Sequence, residues 1–161
     1  SIYYDWNEDG ALDKATLEPA KPGEFGEEFH EFSITLSAVG GAKQVVGNDL
    51  FVEANKNPGA YLKLLPNGDV EIILDQTGIG ASASVTVWTV SYLTERFLLK
   101  KYSYTFEDRV DLSKRGDCEM NLLDGEGKRN GSSVKFKPIE KEINRVDVNF
   151  QPKSCKLRFR R

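Results

Sequence analysis

Residues 5–13, with the sequence DWNEDGALD, place oxygen-bearing side chains at alternating positions and a glycine where the chain has to turn. Four side chains occupy positions 1, 3, 5 and 9 of this segment, those of Asp5, Asn7, Asp9 and Asp13. Ala11, at position 7, offers its backbone carbonyl. Because Ca²⁺ takes about six to eight oxygen ligands from carboxylates, amides and carbonyls, the spacing predicts a calcium site formed by these five residues.

The segment has two other interpretations, an EF-hand loop and a polar turn without metal. An EF-hand carries a bidentate Glu at its twelfth position, where this chain has Thr16, and the preceding residues favour a strand rather than a helix. An EF-hand is therefore excluded. A polar turn remains open, in which Asp and Asn side chains accept hydrogen bonds from nearby amides and Gly10 supplies a positive φ. If Ca²⁺ binds, we expect it to hold the N-terminal strand rather than to perform chemistry.

Outside residues 5–13, few residues of the chain have the types and spacing that catalysis requires. His30 is the only histidine, so any triad would depend on it, and a multi-histidine metal centre is excluded. Nucleophile and phosphate-binding motifs are absent, and residues 78–84, GIGASAS, indicate a flexible loop. We therefore predict a protein that is not an enzyme and has no catalytic residues. A hydrolase that uses calcium and two close carboxylates is the enzyme class that stays open.

The composition predicts one globular domain. The chain has 161 residues, 39% of them hydrophobic and 29% charged, with a net charge of −3, so it can bury a core of its own. No apolar run reaches the roughly 18 residues of a membrane span, and no signal peptide is visible. With the extracytoplasmic location that the cysteines predict, we expect a mature form from which a leader has been removed. The acidic balance argues against nucleic-acid binding.

Cys118 and Cys155 are the only cysteines, and their spacing is not that of a zinc site. One disulfide in an oxidising compartment would close a loop of 155 − 118 = 37 residues and contribute about 3 to 4 kcal/mol. Two buried thiols in a cytosolic protein are the alternative. The disulfide predicts a periplasmic or extracellular location.

Alternation of apolar and polar residues dominates from about residue 29 onward and predicts an all-β protein. Eight or nine strands are expected, in antiparallel sheets that form a sandwich, an open barrel or a partial propeller. Residues 60–74 predict a hairpin around Asn67 and Gly68, residues 124–127 a glycine-rich turn, and residues 138–144 a helical turn. RVDVNF and SCKLRF predict a final hairpin or two edge strands. Within residues 1–161 we expect one domain, with a calcium-loop hairpin at residues 1–18 and an antiparallel body at residues 29–161.

The nine-residue form of the loop resembles the calcium loops of the FG-GAP and VCBS repeat families. In those families a strand runs into DxDxDGxxD or DxNxDGxxD, and another strand runs out. Here IYYDW leads into the loop and KATLE leads out of it, over about fourteen residues and in a single copy. The resemblance implies that side chains of Asp5, Asn7, Asp9 and Asp13, and the carbonyl of Ala11, bind calcium.

The order of features along the chain is also similar to that of small uncharacterised bacterial exported β proteins. Those proteins carry a loop of the DFNGDGKPD kind and later a segment such as CxVNLLTGKG. Residues 118–127, CEMNLLDGEG, match the second segment, with Asp124 where the pattern has Thr. The resemblance implies export, which agrees with a disulfide, and it implies no particular enzymatic activity.

A partner surface is predicted within residues 19–32, which combine glycines, acids and phenylalanines. Its expected members are Phe25, Glu27, Glu28 and Glu31, and a basic protein or toxin would complement them. Alternatively, Phe29 and Phe32 lie in the core and Phe25 alone is exposed. The leading hypothesis is thus an extracytoplasmic module that recognises another protein, with a toxin-neutralising immunity or inhibitor protein as one alternative. A glycan- or cell-wall-binding module is another, and it requires an exposed platform of Trp6, Trp88 and Tyr61.

Overall fold

The computed structural model describes residues 1–19, 21–22, 28–37, 43–53, 59–78, 80–143 and 151–155. These residues form twelve β-strands and a short 3-10 turn at Lys153–Cys155, so the predicted all-β class is confirmed. Within the described ranges, no helix has the length and apolar character needed to cross a lipid bilayer.

The N-terminal sheet contains five antiparallel strands with β4 at its centre. The strands are β1 (Ile2–Tyr4), β2 (Asp13–Leu17), β3 (Lys21–Pro22), β4 (Glu28–Ser37) and β5 (Lys43–Glu53). β2 and β3 pair with β4 along one side and β5 pairs along the other. β1 pairs with β2 so that Tyr4 lies opposite Asp13. This register holds the two ends of the candidate calcium loop side by side.

The second sheet contains seven antiparallel strands, each paired with its neighbour in the chain. The strands are β6 (Gly59–Leu64), β7 (Val70–Asp75), β8 (Ser82–Leu93), β9 (Arg96–Asp108), β10 (Arg115–Asn121), β11 (Glu126–Arg129) and β12 (Ser132–Lys135). β6 and β7 form the predicted hairpin, and Gly68 in its turn has a φ of +88°. The number of strands exceeds the expected eight or nine because strands of two to four residues are too short to show a periodic pattern.

One hydrophobic core lies between the two sheets, as in a sandwich. β4 contributes Phe32 and Ile34, and the seven-stranded sheet contributes Ile72, Trp88 and Leu99 among others. Each of these five side chains is at most 4% exposed. The core is thus formed by the side chains that point inward from the alternating strands, which is the arrangement that the sequence pattern predicts.

The C-terminal part of the described chain packs on the seven-stranded sheet. Cys155 pairs with Cys118 of β10, with Cα atoms 5.6 Å apart, so the predicted pairing is confirmed. Residues 138–142 form no helical turn: the amide of Leu99 donates to the carbonyl of Lys141 at 2.9 Å. Residues 138–142 therefore use backbone groups for hydrogen bonds to β9 and stay extended instead of forming the predicted helical turn. The predicted strand at 145–150 lies outside the described residues, as does most of the one at 154–159.

Candidate functional site

The candidate calcium loop is docked onto the opposite sheet by Trp6, the second residue of the loop. The indole Nε1 donates a 2.7 Å hydrogen bond to the carbonyl of Gly68. The ring also lies edge-on to Phe97, with centroids 5.7 Å apart, and is 6% exposed. Phe97 of β9 and the turn that carries Gly68 therefore fix one side of the loop, whereas residues 8–10 are exposed.

Hydrogen bonds link three of the predicted ligands. The two carboxylate oxygens of Asp5 accept from the amides of Asp9 and Gly10, at 3.1 and 2.9 Å. Asp9 accepts from the amide of Ala11 at 2.8 Å and from Nδ2 of Asn7 at 3.2 Å. Gly10 has a φ of +88°. These contacts make the tight turn that the polar-turn interpretation describes.

Asp13 is separate from these three side chains. It is fully buried, and its carboxylate bridges two amides: Oδ2 accepts from Trp6 at 3.0 Å and Oδ1 from Ser37 at 2.8 Å. Asp13 thus ties the loop to the end of β4. The alternation of Asp13 with Ala15 on β2 is a sequence signal for the face that both side chains occupy, and both are fully buried there, but it does not indicate Ser37 as the partner.

Asp5, Asn7 and Asp9 fit part of a calcium site. A carboxylate oxygen that accepts one backbone hydrogen bond keeps a further lone pair for a cation, so these three residues would hold the ion. Asp13 is fully buried beneath the loop residues, with its carboxylate between Trp6 and Ser37, so its contribution would be to shape the loop. Among the residues that the structure describes, no three His, Cys, Asp or Glu side chains are placed to share a metal.

A second buried carboxylate, that of Asp69, stabilises the turn to which Trp6 is hydrogen-bonded. The sequence analysis did not identify this residue. Asp69 is 6% exposed and accepts from Ser91 Oγ at 2.6 Å and from Lys100 Nζ at 3.0 Å. Its amide donates to Oδ1 of Asn67 at 3.0 Å. The network fixes the turn that carries Gly68, the acceptor for Trp6. The only sequence signal was an Asp directly after the Asn-Gly turn, which is also common on protein surfaces.

The predicted partner surface is described only in part. Phe25 and Glu27 lie outside the described residues, and for Glu28 only the place of its backbone at the start of β4 is described. Glu31 is half-buried, with Oε2 3.9 Å from Nζ of Lys21. Phe32 is fully buried in the core, as the alternative interpretation predicts for that residue.

The aromatic residues required for a glycan platform are not on one surface. Trp6 is 6% exposed and Trp88 is 4% exposed, whereas Tyr61 is 48% exposed. Both indoles belong to the hydrophobic core. Tyr61 alone of the three is therefore available to solvent, and these residues form no exposed stacking surface.

Four titratable side chains in the described part of the chain, those of His30, Asp111, Glu107 and Asp117, bear on whether the chain could perform catalysis. Nδ1 of His30 lies 2.9 Å from the carbonyl of Glu18, within the N-terminal sheet. Hydrogen bonds from Ser113 lower the pKa of Asp111, which favours a carboxylate over a proton donor. An open groove of about 540 Å³ has Glu107 and Asp117 in its walls, both solvent-exposed, whereas general-acid carboxyls typically lie in water-poor pockets.

Comparison with known proteins identified no relative: no protein-family model matches the chain, and no curated protein or solved structure is significantly similar to it. The resemblance to FG-GAP and VCBS loops therefore depends on residues 5–13 and their flanks alone.

Proposed function

We propose that this chain is a non-catalytic module that works outside the cytoplasm, recognises another protein and carries a structural calcium loop. The observation that carries the proposal is the placement of apolar side chains. Six large hydrophobic residues in the described ranges are exposed, and three of them, Leu12, Val110 and Leu112, lie in connections between strands. A rigid sheet scaffold that presents apolar side chains on its connections is typical of binding proteins.

The proposed location is supported by the cysteine pair. Cys118 and Cys155 are 2% and 0% exposed and lie at disulfide distance. Disulfides persist in oxidising compartments and are uncommon in the reducing cytosol. A periplasmic or extracellular site of action agrees with this pairing, and millimolar calcium in extracellular fluids would be sufficient for a loop of low affinity.

Calcium at the loop would have a structural role. Asp5, Asn7 and Asp9 would bind the ion, and the ion would in turn hold the segment that carries Trp6. Trp6 then keeps β1 against the seven-stranded sheet through its contacts with Gly68 and Phe97. We propose no reaction at the ion.

Thermal unfolding with EDTA, with excess Ca²⁺ and with excess Mg²⁺ tests this role. Calcium at about 100 times its Kd would stabilise the fold by about 2.7 kcal/mol, so we expect a rise of several degrees in Tm with Ca²⁺. The Asp5→Asn variant should lose most of the rise. Trp88→Phe leaves Trp6 as the only tryptophan, so its fluorescence reports on the loop directly. An unchanged Tm and unchanged fluorescence would establish the polar turn instead.

Protein recognition is tested by capture followed by binding of purified components. The folded chain is immobilised and exposed to an envelope extract of the cells that produce it, beside a reduced and alkylated chain as control. A captured protein is purified and titrated by calorimetry. We expect a single saturable partner. If that partner is a toxin or an enzyme that loses activity when bound, the chain is an inhibitor or immunity protein. Failure of every captured protein to bind when purified would contradict the proposed function.

A further inference from the structure

The connection between β9 and β10 exposes two aliphatic side chains within three residues. Val110 is 81% exposed and Leu112 is 63% exposed. Removing aliphatic side chains from water is favourable, so leaving both exposed forgoes a stabilisation that a partner could supply. Residues 108–114, which we call the docking loop, therefore differ from the usual polar connection.

The docking loop is held in one conformation by its own polar side chains. Oδ1 of Asp108 accepts from the amides of Val110 and Asp111, at 2.9 and 3.0 Å. Oδ1 of Asp111 accepts from the amide and the hydroxyl of Ser113, at 3.1 and 2.6 Å. The amide of Lys114 then donates to the carbonyl of Asp111 at 2.9 Å. Successive hydrogen-bonded turns thus fix the backbone on both sides of the two aliphatic residues.

A second set of contacts anchors the docking loop to the neighbouring connection between β7 and β8. The amide of Arg109 donates to the carbonyl of Ala81 at 2.7 Å. Its guanidinium donates to the carbonyls of Gly80, at 3.2 Å, and Thr77. Binding by a loop that is already ordered avoids the entropic cost of ordering it on association. The loop therefore has the rigidity of a preformed binding element as well as the exposed apolar area.

The charges around the docking loop indicate what kind of partner it meets. Residues 107–117 contain four acids and three bases, a net charge of 3 − 4 = −1. Anionic membranes and nucleic acids select strongly basic segments, so neither fits this loop. A protein surface with an apolar pocket and a mixed polar rim does fit. The adjoining groove of about 540 Å³, with Glu107, Arg115 and Asp117 in its walls, would meet such a rim.

A second copy of the chain is a poor occupant. Two such loops that touch each other would bury far less than the roughly 1,200 Å² of a stable interface. The groove of another copy includes the charged residues Glu107, Arg115 and Asp117 in its walls, and Val110 and Leu112 would desolvate these charges without compensation. A different protein with a concave surface therefore fits the loop better than a second copy does.

We propose that Val110 and Leu112 are the apolar anchors of a preformed docking loop that inserts into a concave apolar pocket of a protein partner. This inference rests on the proposed function of protein recognition and adds the place of contact and the shape of the partner.

The test places a photo-crosslinking amino acid at Ser113, beside the anchors, in one variant of the chain and at Tyr61 on β6 in a control variant. The replacement at Ser113 removes its hydroxyl contact with Asp111 but keeps the contact of its amide. Both variants are irradiated in an envelope extract of the producing cells. The protein crosslinked through Ser113 is purified and titrated with the wild-type chain, with the Val110→Asp/Leu112→Asp double variant and with Tyr61→Asp. We expect the double variant to weaken binding at least 30-fold and Tyr61→Asp to change it less than twofold. Because both anchors are exposed, Tm should change little in either variant.

The possible outcomes separate this inference from the proposed function. A purified partner that binds the double variant as tightly as the wild type, or that crosslinks only through Tyr61, would overturn the docking loop while protein recognition stands. The absence of any specific partner from both positions would overturn both proposals. Arg109→Ala provides a further check, since loosening the loop without changing its anchors should weaken binding about threefold to tenfold.

Discussion

The indole Nε1 of Trp6 donates a 2.7 Å hydrogen bond to the carbonyl of Gly68 and so joins two segments 62 residues apart. Through this bond the candidate calcium loop of the N-terminal sheet is fastened to a turn of the seven-stranded sheet.

Replacing Trp6 by Phe keeps an aromatic ring but removes the donor. The buried carbonyl of Gly68 would lose its partner, so we expect the free energy of unfolding to fall by about 1 to 3 kcal/mol beyond the effect of the smaller ring. Urea unfolding measures this loss. Trp88→Phe is the matched control, because Nε1 of Trp88 is buried without a hydrogen-bond partner among the described residues. Equal losses for the two variants would contradict the importance of the bond to Gly68.

Gly68 and Gly10 form a natural pair for testing close packing against backbone strain. Both have a φ of +88°, but a Cβ on Gly68 would lie 2.6 Å from the ring of Tyr4, whereas one on Gly10 would meet nothing within 4 Å. Ala at either position carries the cost of a positive φ. We therefore expect Gly68→Ala to destabilise the fold more than Gly10→Ala, by about 1 to 3 kcal/mol. Similar urea midpoints for the two variants would show that Tyr4 moves aside at little cost.

Asp13→Asn tests whether the buried carboxylate organises the loop without metal. One oxygen would become an amide nitrogen that faces a backbone N–H, so a hydrogen bond to Trp6 or Ser37 would be lost. In EDTA we expect a loss of about 1 to 3 kcal/mol. Asp9→Asn, at an exposed position, should cost much less under the same conditions. A larger loss for Asp9→Asn would place the organising role at the outer part of the loop.

Ionisation of the Tyr102 phenol makes the stability of the fold depend on pH in the alkaline range. Burial raises the pKa of this phenol from 10.0 to about 12, so the folded state holds a proton that the unfolded state releases first. This contribution is fully present below pH 10 and is lost as pH rises through the folded value of about 12. Urea unfolding at about pH 9 and about pH 11 measures the slope. Tyr102→Phe should flatten it, and an unchanged slope would point to other phenols such as Tyr104, whose pKa burial also raises.

Local patterns were sufficient for much of the fold. The hairpin at residues 60–74 was predictable because an Asn-Gly turn and two alternating runs determine it within a few residues. β11 was not predictable: residues 126–129, EGKR, have no apolar member, and part of them was expected to be a turn. Pairing with β10 forms this strand, and Gly127 permits it, since a Cβ there would lie 2.2 Å from the carbonyl of Glu119.

The candidate site likewise has some features that local sequence patterns predict and others that depend on distant contacts. The placement of Asp5, Asn7 and Asp9 follows from a short motif, and the structure brings these residues together. Asp13 turns inward because Ser37, 24 residues away, offers it an amide, and no motif reports a contact of that kind. The docking loop was missed because exposure of Val110 and Leu112 depends on how the sheet ends, whereas the sequence shows only two ordinary aliphatic residues.

The order of strands in the seven-stranded sheet also bears on how the chain folds. Each of its strands pairs with the next one along the chain, so the sheet can grow by successive hairpins with short loop closures, which is the rapid route for a β protein. Trp6 has to wait for a turn that is synthesised 62 residues later. We therefore expect refolding to show two kinetic phases, an early rise of β-sheet circular dichroism and a later change in Trp6 fluorescence. The segment that carries Trp6 would thus be among the last to reach its native position, although it precedes the whole seven-stranded sheet in the chain.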